Sequence, residues 1–99
     1  MIVVINHSLP VAVAKQEIEK KFLALLETYQ DVVNDSYMTW VGNTCEFSFA
    51  AKGIKTSGSI KIEPSLCRVK VHVPFVLLPL SPRIKSLIEA EGKKVLQSQ

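Results

Sequence analysis

His7 and His72 are the only side chains of this 99-residue chain whose ordinary pKa suits general acid–base work near neutrality. His72 alternates with Arg68 and Lys70, which places it on a solvated strand face. His7 stands beside Ser8 where a strand gives way to a helix, so its ring is expected to cap or pack rather than catalyse. Ser8 reads as a helix N-cap and not as a nucleophile, because nothing near it supplies an acid partner. Cys45 and Cys67 both fall on the inward parity of their strands and are expected to behave as small buried hydrophobes. A metal centre would need clustered ligands such as paired C-x-x-C, which this spacing does not offer. Gly53 and Gly58 lack the flanking pattern of a phosphate loop, and the carboxylates are scattered among lysines. No catalytic, cofactor or metal site is therefore expected, and the chain reads as a protein that is not an enzyme.

Composition narrows the class further. Hydrophobic residues make up 47% of the chain and charged residues 21%, the balance of a folded globular protein. The length suits one domain, residues 1–99. A net charge of +3 is too mild to announce a nucleic-acid partner. The apolar run Ile2 to Ile5 is too short for a signal peptide, and Val71 to Pro82 holds two internal prolines and is too short to span a membrane. With only two cysteines, these features predict a cytoplasmic protein without a transmembrane segment.

The elements follow from periodicity. Ile2–Ile5 is a short β-branched run and reads as a buried first strand. Val11, Ala14, Ile18, Phe22, Leu25 and Tyr29 recur at three- and four-residue steps, the pattern of a one-faced helix, with Pro10 in its first turn. Asp31 to Ser36 is polar and reads as a loop, and Tyr37 to Val41 as a strand joined to the next by a two-residue Gly42-Asn43 turn. Cys45, Phe47 and Phe49 face inward on that next strand. Gly53 and Lys55 to Gly58 read as a connection, followed by a strand from Ser59 to Glu63. The clearest strand carries Cys67, Val69, Val71 and Val73 inward. Ser81-Pro82 reads as N-cap and first residue of a last helix with Ile84, Leu87, Ile88, Glu91 and Val95 on one face. The order β-α-β-β-β-β-α predicts an α+β fold, an antiparallel meander with both helices on one sheet face. Trp40, the only tryptophan, is expected to be buried against the first helix near Phe22 or Leu26.

These residues in this order resemble the polyhydroxyalkanoic acid system proteins, also called the polyhydroxyalkanoate granule-region family. The resemblance runs over nearly the whole chain. It rests on His7-x-Leu9, Trp40-x-Gly42 with Phe47, Gly53 and Gly58 around Ser59-Ile60, the strand to Val73, Phe75-x-Leu77-Leu78-x-Leu80, and Ile84 with Ile88. It implies a bacterial accessory protein of storage-polyester metabolism that is found at or near granules, with no catalytic residues to carry over. The element order is also similar to a reduced helix-grip (START-like) domain, in which a curved sheet wraps a C-terminal helix around an apolar pocket.

Two sets of residues follow as candidate sites. Pro74 and Pro79 predict an extended or turned Val73–Leu80 segment whose side chains alternate, so that either Phe75 with Leu77 or Val76 with Leu78 faces outward beside Leu80. That set is the candidate contact with the granule surface, with granule proteins or, as a two-fold homodimer, with a second copy. The alternative is a carrier of a small apolar ligand, with Phe47, Phe49 and Leu87 lining a pocket between sheet and C-terminal helix. A core of this size is expected to have little volume to spare for one.

Overall fold

The alternating runs form five antiparallel strands, β1 (Ile2–Asn6), β2 (Val33–Val41), β3 (Thr44–Ala51), β4 (Ile54–Ile62) and β5 (Leu66–His72), hydrogen-bonded in the order β1-β5-β4-β3-β2. This computed structural model describes residues 1–51 and 53–97. Helix α1 (Val11–Thr28) follows β1, and α2 (Ser81–Gln97) closes the chain after a 3-10 helix over Phe75–Leu80. Both helices lie on the sheet face that carries Cys45, Phe47, Phe49, Ile60, Ile62, Cys67, Val69 and Val71. The α+β architecture and element order are those the periodicity predicts.

Several boundaries differ from the sequence reading, each for a local reason. Strand β2 begins at Val33 and not at Tyr37, because a bulge carries it through the polar stretch. Asn34 opposes Ala50 and Tyr37 opposes Ser48, so β2 has one residue more than β3 between these pairs. Asp35 takes the strain with φ +51, which its short polar side chain tolerates. The extra residue resets parity, so Val33 faces the helices while Tyr37 faces outward. Strand β4 begins at Ile54, so Lys55 to Gly58 is strand rather than connection. Its inward positions there are Thr56 and Gly58, too polar and too small to give a hydrophobic alternation.

The start of α1 is also different. Its N-cap is Pro10, without a side-chain cap, and Ser8 lies outside the helix. Ser81 has helical angles where the 3-10 helix passes into α2, so it is not an extended N-cap. Phe75–Leu80 is helical despite its prolines. The Leu77 N–H bonds the Pro74 carbonyl at 2.8 Å, and Pro79 sits inside the 3-10 turn. Trp40 is half-buried, and its partner on α1 is Lys15, whose Nζ lies 5.0 Å from the ring centroid, rather than Phe22 or Leu26. The same ammonium donates to the Gly42 carbonyl at 3.0 Å, tying α1 to the hairpin.

Two glycines set how closely layers approach. Gly58 faces inward beneath the Phe47 ring, where a Cβ would overlap the Lys70 carbonyl oxygen and lie 2.7 Å from Phe47 Cζ. The ring covers the bare backbone that the glycine leaves. At Gly92 a Cβ would overlap Ile5 Cδ1, so α2 sits directly on β1. Gly58→Ala is expected to lower stability by roughly 1–3 kcal/mol through overpacking against rigid backbone. Urea denaturation should show a lower midpoint at unchanged slope.

Candidate functional site

Packing is uneven along the helices. Ala14 and Ile18 near the start of α1 are buried, whereas Leu25 and Leu26 are only half-buried and Tyr29 is exposed. In α2 the gradient runs the other way, from half-buried Ile84 and exposed Leu87 to buried Leu96. The end of α2 is anchored on β1, where Gln97 Nε2 donates to the Asn6 carbonyl at 2.7 Å. The two helices therefore close over one end of the sheet and part over the other.

The opening is an apolar cleft of about 440 Å³. Its floor is the sheet, with Phe47, Phe49, Ala51, Thr56, Ile60 and Val71. One wall is α1 with Phe22, Leu25 and Tyr29. The other is α2 with Ile84, Leu87 and Ile88. Pro74 and Leu77 close the far side. Phe47 lies stacked beside Phe49, centroids 6.4 Å apart and planes 11° apart, and Phe22 tilts against Phe47 at 5.7 Å. The volume falls within the ~300–1,000 Å³ of small-molecule sites. A core expected to have little volume to spare thus leaves a cleft where the helices part over the sheet.

Phe47, Phe49 and Leu87 are brought together on this one cleft. The Val73–Leu80 set is divided. Leu77 turns into the cleft, while Phe75, Val76, Leu78 and Leu80 are exposed, Phe75 at 85%. The alternating pairs expected of an extended chain do not occur, because 3-10 geometry replaces period two by period three.

The sequence reading missed the polar groups of the cleft. Lys21 of α1 and Glu91 of α2 both line it, and their Nζ and Oε2 are 2.9 Å apart. Lys94 adds a second, weaker approach to Glu91 at 4.0 Å. The hydrogen bond from Lys21 holds the Glu91 carboxyl below the ordinary carboxylate range, against the opposing effect of desolvation, with the Lys21 and Lys94 charges helping. The position of Glu91 on the packing stripe of α2 was the one available signal.

Of His7, His72, Cys45 and Cys67, only Cys67 lines the cleft. His7 is buried, its Nδ1 accepting from the Leu9 N–H at 3.1 Å and its Nε2 lying 2.8 Å from the Glu63 carbonyl. An acceptor at Nδ1 assigns the proton to Nε2, so the neutral ring joins the β1–α1 connection to the β4–β5 turn. His72 is exposed on the outer sheet face opposite Ser57. Burial raises the Cys67 thiol to about 12, and burial with the charges of Glu19 and Glu46 raises Cys45 to about 11, so neither is a ready nucleophile. No group of three metal-ligating side chains occurs among the described residues. No described helix is long and apolar enough to cross a membrane.

The family described as putative polyhydroxyalkanoic acid system protein matches residues 2–96. The chain belongs to that family. Searches of the curated proteins and of the solved structures find no match. The polyhydroxyalkanoic acid system family name therefore stands beside a cleft that the fold builds from ordinary core residues.

The Lys21–Glu91 pair gives a pH dependence. A carboxyl whose pKa is lowered by folding stabilises the fold above its unfolded value and stops doing so as pH falls through the folded value. The clamp between α1 and α2 is expected to fail on acidification below the ordinary carboxylate range. Thermal melts across that range should show a steeper loss for the parent than for Glu91→Gln.

Proposed function

We propose that this protein is a non-enzymatic accessory of polyhydroxyalkanoate metabolism that holds an apolar chain in the cleft between sheet and helices. The cleft carries the reading. The cleft is open along its mouth, so a largely apolar lining faces water, and covering it gains ~25 cal/mol per Å² of apolar area. An apolar ligand supplies that cover. The family name supplies the chemistry, a hydroxyalkanoic chain or a short oligomer of it, with the Thr56 hydroxyl and the Lys21–Glu91 pair as the polar groups in reach.

The granule association belongs to the same proposal, with Phe75, Val76, Leu78 and Leu80 as the contact and the cytoplasm as the compartment. A fluorescent fusion is expected to collect on granules in polyester-storing cells. Diffuse fluorescence beside a granule-coating control would remove this part of the proposal.

The cleft itself is tested by calorimetric titration with a medium-chain 3-hydroxyalkanoic acid. Saturable binding with a negative heat-capacity change is expected. Ala51→Leu with Thr56→Leu should fill the floor, abolish the heat of binding and leave the melting temperature equal or higher. Unchanged affinity in that variant, or no saturable heat in the parent, would sink the carrier reading.

A further inference from the structure

We propose that the 3-10 helix Phe75–Leu80 docks the protein on an anionic lipid surface, with the mouth of the cleft facing that surface. The inference deepens the carrier reading by naming the surface from which a chain would enter. Three observations converge on it. The segment is a convex apolar projection, with Phe75 85% and Val76 65% exposed and Leu78 and Leu80 also exposed. A protrusion of this kind enters a soft interface more readily than it matches a rigid protein face. It is continuous with the cleft, since Pro74 and Leu77 are cleft walls while their neighbours in the same turns point outward.

Charge decides the kind of surface. From Pro64 to Ile88 the chain contains no Asp or Glu, and its charged residues are Arg68, Lys70, Arg83 and Lys85. Arg83 and Lys85 are exposed and make no ion pair among the described residues. On an α-helix they lie about 100° to either side of the cleft-lining Ile84, so two cations flank the α2 side of the mouth beside the 3-10 helix. The exposed Asp31 and Asp35 neighbour Tyr29 and Val33 on the other side. Apolar side chains framed by cations are the pattern of a peripheral anchor on anionic lipid. The same charges oppose a two-fold dimer through this segment, because an isologous interface would bring both copies' cations together.

The test is co-sedimentation of the whole protein with vesicles of phosphatidylcholine containing phosphatidylglycerol and with vesicles of phosphatidylcholine alone. Binding to the anionic vesicles that weakens with salt is expected. Phe75→Ser with Val76→Ser should abolish it, and Arg83→Gln with Lys85→Gln should weaken it by about fivefold for each cation removed. All four positions are exposed, so both double variants should melt like the parent and keep their affinity for the 3-hydroxyalkanoic acid in solution. Equal binding to both vesicle types, no vesicle binding, or a dimer in sedimentation that Phe75→Ser with Val76→Ser dissociates would overturn the docking proposal. A parent that binds vesicles but no hydroxyalkanoic acid would instead count against the carrier reading and leave the docking intact.

Discussion

An 18-residue helix and a 17-residue helix share one face of a five-stranded sheet, and the missing side chain at Gly92 lets α2 lie directly against Ile5 of β1. Gln97 then fastens the helix end to the Asn6 carbonyl. On the neighbouring helix Ala14 is fully buried. Both positions lie at the end of the sheet where Cys45, Ile62 and Cys67 are also buried. Rigid helices seated at one end of a sheet cannot follow it to the other. The cleft runs between them from Ile5, Gly92 and Leu96 toward Tyr29 and Leu87, and the Lys21–Glu91 pair joins the two helices across it.

The meander and the two helices were legible because Cys67, Val69, Val71 and Val73, or Val11, Ala14 and Ile18, repeat with the period of one element buried on one side. Legibility failed wherever a position was small or polar for a reason that lies across the fold. Thr56 and Gly58 carry no apolar signal because one lines a cleft and the other lies under the Phe47 ring. The Asp35 bulge hides the first half of β2, since one inserted residue shifts the phase that alternation is read by. Pro79 argued against a helix, yet a 3-10 turn accommodates it. The pairing of Lys21 with Glu91 was signalled only by the place of Glu91 on the packing stripe, because its partner lies four strands earlier in the sequence.

His7 shows how a catalytic-looking residue serves the fold. Its backbone N–H bonds the Ser65 carbonyl at 3.0 Å while its ring engages Leu9 and Glu63, so one residue ties the first connection of the chain to a hairpin more than fifty positions later. With both ring nitrogens engaged by backbone groups, it has no lone pair to offer a substrate. This latch stands at the densely packed end, away from the cleft floor of Ala51, Thr56 and Val73.

Side-chain size changes unevenly along the strands. In β4 the inward positions run from buried Ile62 through Ile60 and Gly58 to Thr56. In β3 they pass from Cys45, Phe47 and Phe49 to Ala51. Protein interiors ordinarily pack to the density of organic crystals, and a chain 47% hydrophobic does not lack apolar residues to fill this one. Phe75, Val76 and Leu87 are large apolar residues left exposed, although Phe47, Phe49 and Ile60 on the floor are large as well. Apolar side chains thus stand both beneath the opening and around it. A fold minimising its own free energy alone would cover the exposed members of this set. That uncovered rim is the surface the proposed apolar ligand and docking contact would take out of water.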